Sequence, residues 1–370
     1  MNGSTEFLAG RTMTNRVMIM AGGTGGHIFP ALAIANKLRS QGVEILWLGT
    51  RGRLEEVLVP KNHYDIAYID VKGIRRNGFW RKLGSPFMIL RALFESFGII
   101  KKFKPDVVIG MGGYASGPGG LAAYLMGINV VLHEQNAAAG MTNRLLSKVA
   151  SRILLGFPGA FSGPKVSVVG NPVRDEIVAL NNTKKIDVNK KKFNILIVGG
   201  SLGAQALNEI VPKALMHFNG TGADVEVVHQ CGKDNSEKTR VLYEGADFKV
   251  NVTDFIDNMQ QAYMDTDLII CRAGALTVCE VAAALVPAIF VPLPSAVDDH
   301  QSKNAQTLVD HHAGVKILQK DLNDQDLYNR ILEFYKDRSK LVAIQKNLKE
   351  IAITDASDKV VDVLRSYFKS

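Results

Sequence analysis

Residues 17–38 read VMIMAGGTGGHIFPALAIANKL. A short apolar run meets a glycine-rich turn, and from Pro30 to about Gln41 the apolar residues return at helical intervals. The stretch therefore predicts a strand, a loop and a helix in succession. The same opening recurs at 195–205, ILIVGGSLGAQ, after a polar, lysine-rich stretch over 181–192 with the composition of a surface loop. Further apolar runs at 45–48, 107–109, 130–132, 153–155 and 166–169 alternate with helical patterns in the first half, as do runs at 225–229, 268–271, 288–291 and 315–317 in the second. Strands alternating with helices imply parallel sheets covered on both faces. The predicted fold class is α/β: two Rossmann-like, doubly wound parallel-sheet domains facing a cleft.

The bulk properties agree with two domains. A chain of 370 residues is longer than one hydrophobic core usually supports. The turn in VVGNPVR (168–174) suggests domains over 16–173 and 174–350, with a helix over 351–370 that could fold back on the first domain. Residues 1–15 read as an appended or disordered leader. The three cysteines, Cys231, Cys271 and Cys279, have no metal-ligand spacing and suit a reducing compartment. There is no secretory leader and no run of about 20 apolar residues, so a soluble or membrane-peripheral protein is expected. Charge is divided unevenly: up to Val173 there are 20 Lys and Arg against 9 Asp and Glu (+11), and beyond it 24 against 27 (−3). An anionic partner is expected for the first domain only.

Three glycine-rich loops follow apolar strands: GGTGGH (22–27), GMGGYASGPGG (110–120) and GGSLGAQ (199–205). Glycine lets the backbone approach a ligand, and the next helix offers free N–H groups to an anion. Any one loop could be only a tight turn; three on the same side of two sheets point to a phosphate-containing ligand. None fits G-x-G-x-x-G, since Val198 and Ile28 stand where glycines are required, and no acid ends the second strand. A dehydrogenase is disfavoured, and the absence of GKS or GKT excludes a P-loop. CRAGALTVCE (271–280) adds a strand-to-helix turn whose amides near Ala275, Leu276 and Thr277 could take a diphosphate. Glu280 could accept hydrogen bonds from a ribose, or be an ordinary helix-start charge. Asp265 and Asp267 resemble a metal-holding D-x-D only by letters, because they precede a strand.

With GNPVR, HEQN (133–136), RAGALT and the Asp299–Gln301 segment with Asn304, these motifs resemble the MurG family of N-acetylglucosaminyltransferases over nearly the whole chain from Arg16. The resemblance implies the GT-B fold and an inverting transfer of N-acetylglucosamine from UDP-N-acetylglucosamine to the 4-hydroxyl of a lipid-linked muramyl-pentapeptide, lipid I to lipid II, in peptidoglycan synthesis. It further implies that Arg174, Ser201, Ile256 and Ala275, Leu276, Thr277, Val278, Cys279 and Glu280 hold UDP, and that Asn136 and Gln301 hold the sugar. Thr24, Gly25 and Gly26 would face the donor, and His27 is the candidate base. No cofactor and no essential metal are implied. Another GT-B glycolipid transferase, a UDP-sugar epimerase and a non-catalytic sugar-nucleotide sensor are the alternatives.

Histidine ordinarily titrates near neutrality, which suits it to accepting a hydroxyl proton, worth roughly 10²- to 10⁴-fold. A loop-capping role is the competing reading of His27. Residues 72–104 hold nine Lys or Arg, one acid and several large apolar residues. This composition suits an anionic bilayer better than nucleic acid, so a peripheral position on the cytoplasmic face of the inner membrane is expected. The loop 74–82 is the expected membrane-facing part. Leu90, Phe94 and Phe97 are expected to be partly core, because with Phe87 they fall at helical spacing.

Overall fold

The computed structural model describes residues 14–71, 79–294, 296 and 299–369, with the side chains of 79–86 left out. The first lobe holds strands β1 (Arg16–Ala21), β2 (Glu44–Gly49), β3 (Asp65–Tyr68), β4 (Val107–Gly112), β5 (Asn129–Glu134), β6 (Arg152–Leu155) and β7 (Val166–Val168). They form one parallel sheet in the order β3-β2-β1-β4-β5-β6-β7. The second lobe holds β8 (Phe193–Val198), β9 (Val225–Gln230), β10 (Lys249–Thr253), β11 (Leu268–Cys271), β12 (Ala288–Phe290) and β13 (Val315–Lys316). Its sheet, also parallel, runs β10-β9-β8-β11-β12-β13.

Both sheets reverse their winding at corresponding places, between β1 and β4 and between β8 and β11. Ligands of open α/β sheets bind beyond the strand carboxyl ends at such a switch point. All three glycine loops and the 272–275 turn lie at these ends. The central strands are buried along nearly their whole length, as both-face coverage by helices requires. Trp47, fully buried, donates its indole N–H to the Ala21 carbonyl at 2.7 Å and so fixes β2 against the end of β1. Truncating such a core tryptophan costs about 3–5 kcal/mol.

The last helix, Ala356–Arg365, crosses back to the first lobe. Val360, Val361 and Leu364 enter the core built by β1 and the helix Gly25–Ser40, and Lys37 pairs with Asp358. Three expectations need correction. The first helix begins at Gly25, five residues before Pro30, so His27 lies in its first turn instead of ending the loop. The short edge strands β3 and β10 carry no long apolar run and are additions to the predicted set. Leu90 and Phe94 are exposed, not core: the helix Phe79–Phe103 turns Ala92, Ser96 and Ile100 inward, leaving Phe97 half-buried. Of the expected membrane loop, residues 74–78 and the side chains of 79–82 lie outside the described set.

Candidate active site

On the first lobe the chain leaves β1 through Gly22 and Gly23 and enters the helix Gly25–Ser40, with Thr24 as its extended N-cap. The loop is pinned from below by Glu55, which is 1% exposed. Its carboxylate accepts from the Gly23 N–H (2.9 Å), the Thr50 N–H (3.2 Å) and the Thr50 hydroxyl (2.8 Å). A Cβ at Gly22 would lie 2.4 Å from Glu55 Oε1, so only glycine fits over the carboxylate. The amides of Gly25 and Gly26 have no acceptor among the described residues, as expected of a helix start. His27 follows, its Nδ1 2.8 Å from Gln135 Oε1. The second glycine loop backs the ring: Gly112 has a φ of +105°, and a Cβ there would come within 2.9 Å of His27 Cε1.

The second lobe builds its side largely from backbone. Gln230, at the end of β9, holds the 199–204 loop by accepting from the Gly200 N–H and donating to the Gly200 carbonyl, each at 3.0 Å. Ser201 stands exposed at the loop tip. Ile256, half-buried just after β10, packs on the same core as the helix Ala275–Ala283. That helix starts at Gly274, and its amides at Ala275, Leu276 and Thr277 have no acceptor among the described residues, whereas Val278 N–H already bonds the Gly274 carbonyl. Three amides without an acceptor at a helix start have the geometry and polarity to receive an anion.

Glu280, only 7% exposed, lies one turn into this helix. Burial pushes its carboxyl upward, and Arg174 opposes that shift from 3.0 Å. The Tyr263 hydroxyl donates to the other carboxylate oxygen at 3.1 Å. Arg174 also faces the Phe29 ring of the first lobe, 6.0 Å from its centroid. Gln301 accepts from the Ala273 and Leu293 amides through its side-chain oxygen, at 3.3 and 3.0 Å.

Two asparagines join the lobes. Asn171 donates to the Gln135 carbonyl (2.9 Å) and contacts the Cys279 sulfur (3.2 Å). Asn304 accepts from the Ala137 N–H (2.9 Å) and donates to Asn136 Oδ1 (3.3 Å) and the Ala273 carbonyl (3.2 Å). The His27 helix and the Ala275 helix are thus bridged through His27, Gln135, Asn171 and Cys279.

Residues 17–155 match the glycosyltransferase family 28 N-terminal domain, and residues 194–360 match the family 28 C-terminal domain. A UDP-N-acetylglucosamine–N-acetylmuramyl-(pentapeptide) pyrophosphoryl-undecaprenol N-acetylglucosamine transferase of Tolumonas auensis is 51% identical over 353 residues, covering 94% of this chain and 98% of its own. The crystal structure of Acinetobacter baumannii MurG is 42% identical, with a TM-score of 0.80 over 95% of this chain and 99% of that one. The chain belongs to the MurG family. A putative UDP-N-acetylglucosamine 2-epimerase from Listeria monocytogenes shares the fold alone, at 15% identity and a TM-score of 0.68 over 95% of this chain and 96% of that one.

Within this MurG-family chain the sequence-predicted residues divide by what their side chains can reach. Val278 is fully buried and its N–H is already taken by the Gly274 carbonyl, so it packs the helix start and does not touch a ligand, and burial pushes the Cys279 thiol up to about 12, which leaves it inert as a nucleophile. Asn136 gives one amide hydrogen to Glu134 and accepts from Asn304, which leaves its second amide hydrogen without an acceptor among the described residues. Sequence reasoning missed Glu55, Gln230, Tyr263, Asn171 and Gln135. Glu55 reads as a helix-start acid beside Glu56, and only its fold partners reveal it as a loop anchor. Asp267 is absorbed structurally, accepting from the Asn194 N–H and pairing with Lys190 and Arg338.

Proposed function

We propose that this chain transfers N-acetylglucosamine from UDP-N-acetylglucosamine to the 4-hydroxyl of lipid-linked muramyl-pentapeptide, converting lipid I to lipid II by single displacement with inversion. The observation that carries the reading is the bridge between a histidine in one helix start and free amides in another, set on facing lobes. The acceptor oxygen bonds the anomeric carbon, the carbon–phosphate-oxygen bond breaks, UDP leaves with the electron pair, and the hydroxyl proton passes to His27.

Charge developing on the diphosphate meets the amides of Ala275, Leu276 and Thr277 and the Arg174 guanidinium. Ser201 and the Ile256 backbone complete the UDP site, and Glu280, whose Oε2 has one protein donor, takes a ribose hydroxyl. Asn136 and Gln301 face the sugar, with Thr24, Gly25 and Gly26 opposite. The amides and Arg174 do the work a metal would otherwise do, and turnover persists in a strong chelator.

The acceptor's lipid brings the protein to the cytoplasmic face of the membrane as a peripheral enzyme. Among the described residues no helix is long and apolar enough to cross a bilayer. Phe87 (76% exposed), Leu90 and Phe94 (65%) lie on the helix Phe79–Phe103 beside Arg91. The neighbouring helices Ser116–Leu125 and Met141–Leu146 expose Leu121, Tyr124, Leu125, Met141 and Leu145. Apolar side chains with cations among them favour an anionic bilayer. A UDP-release assay with lipid-linked muramyl-pentapeptide tests the reading. Release should require both substrates and fall sharply with UDP-glucose or UDP-N-acetylgalactosamine; conversion of UDP-N-acetylglucosamine without acceptor would instead identify an epimerase.

A further inference from the structure

The candidate base is the end of a longer hydrogen-bond chain. His133, wholly buried on β5, places Nε2 3.0 Å from the Gly170 carbonyl. Gln135 Nε2 lies 3.1 Å from His133 Nδ1 and 3.1 Å from the His133 carbonyl, and its Oε1 lies 2.8 Å from His27 Nδ1. Each link has one permitted direction. A carbonyl only accepts, so His133 carries its proton on Nε2. The Gln135 amide must turn its NH₂ group toward the His133 carbonyl, because the opposite orientation would set two acceptors together. Its oxygen then faces His27 and can only accept, which places the His27 proton on Nδ1.

We infer that Gln135 and His133 are positioning residues for the transfer, a directional relay that fixes the tautomer of His27 so that Nε2 is the unprotonated nitrogen available to the acceptor hydroxyl. The inference rests on the reading of His27 as the base and adds what makes it one. Among the described residues nothing hydrogen-bonds His27 Nε2.

Three further features hold the relay in register. Asn171 anchors the Gln135 backbone from the lobe junction. Glu134, between the two relay residues, accepts from the Asn136 and Gly140 amides and from the Asn143 side chain at 2.9–3.1 Å, which fixes the loop after β5. Gly112 closes the other face of the His27 ring. Burial pushes the His133 imidazolium down to about 4, so its ring stays neutral and its Nδ1 remains an acceptor wherever the enzyme would work. When His27 takes the hydroxyl proton, its Nδ1–H already points at a carbonyl oxygen, and no group has to reorient.

The test is nitrogen-15 NMR of the whole chain labelled at histidine, with steady-state kinetics of His27→Ala and Gln135→Met. Methionine approximates the shape of glutamine but cannot donate to His133 and offers His27 only a weak thioether acceptor. The wild-type His27 should be the Nδ1–H tautomer. Gln135→Met should shift it toward the Nε2–H form and lower kcat by about 10- to 100-fold, with KM for UDP-N-acetylglucosamine changed by less than about twofold. A purely structural Gln135 would leave the tautomer where it was. Wild-type His27 found protonated on Nε2 overturns the relay, as does Gln135→Met with tautomer and kcat both unchanged while His27→Ala is slow. If His27→Ala itself keeps full kcat, the base assignment fails instead. Should Gln135→Met fail to fold, the wild-type tautomer decides alone.

Discussion

The two lobes open with the same device and support it differently. Each places a glycine loop after the first strand of its sheet, and each pins that loop with one polar side chain from elsewhere: Glu55 under Gly23, Gln230 under Gly200. The first support is a carboxylate, the second a neutral amide. An acid beneath a helix start offsets the positive end of the dipole and makes that loop a poor diphosphate cradle. A neutral pin leaves the dipole of the second lobe available to an anion. The first lobe adds an ionisable side chain, His27, where the second has only Gln205 at the start of its helix. In the proposed reading, side-chain chemistry would belong to the first lobe and anion recognition to the second, although the first carries the larger net positive charge.

The sharpest way to break that division is His27→Ala. It should lower kcat by about 10²- to 10⁴-fold with little change in KM for UDP-N-acetylglucosamine, read by UDP release. A rise in KM with kcat intact would move His27 to the donor side. The next effect is on stability, and it sharpens the comparison because each lobe buries one neutral histidine. Burial lowers His133 to about 4 and His229 to about 3 from an ordinary 6.5. His229 is held by the Tyr243 hydroxyl at 3.0 Å and Asn208 at 3.1 Å. Both folded-state values lie below the unfolded one, so the unfolded chain binds more protons, and stability is full above pH 6.5 and lost as pH falls toward 4. The shift at His133 corresponds to about 3 kcal/mol, and that at His229 to somewhat more. Urea midpoints measured between pH 7 and pH 4 should fall steadily, and a flat profile would mean that neither ring is held neutral by the fold.

Much of this architecture can be read from the chain before folding. β1, β4, β8 and β11 are central strands covered on both faces, so they must be apolar throughout and stand out as runs. β3 and β10 lie at sheet edges, are covered less, and read as DIAY and KVNVT, compositions that loops share. The start of the first helix was hidden for a different reason: Gly25 and Gly26 have poor helix propensity, and tertiary packing of the first turn, whose His27 ring lies against Gly112, overrides it. Leu90 and Phe94 follow helical spacing, but spacing gives a stripe without saying which stripe turns inward. Glycine loops and His27 are local signals. Glu55, Gln230, Asn171 and Gln135 each reach a partner 24 or more residues away, and nothing in their neighbours announces those contacts.

The contrast between the two pins can be tested by removing it. Gln230→Glu places a carboxylate under the donor-side loop, where it would also face the Gly200 and Asp254 carbonyls that Gln230 now donates to. Unit charges about 8 Å apart at an effective dielectric of about 20 interact by about 2 kcal/mol, so UDP affinity should weaken by about 30-fold. Calorimetric titration of UDP reads the change directly. An unchanged Kd in a folded variant would show that the neutrality of the second pin is immaterial to where the anion goes.

The smallest expected effect concerns the outer face of the first lobe. Phe94 and Phe97 lie 6.4 Å apart between ring centroids, yet only Phe97 packs into the core beneath. If the exposed ring enters a bilayer interface, Phe94→Ser forfeits about 1.5–3 kcal/mol of apolar transfer at full burial and less at partial insertion. Sedimentation with vesicles containing anionic lipid should then show binding weakened by about tenfold, with turnover on a detergent-solubilised acceptor unaltered. Adding salt separates the two contributions, since exposed charges are screened and the apolar term is not. A Phe94→Ser chain that sediments as well as wild type would confine membrane attachment to the cations, and the division between the lobes would then be one of charge alone.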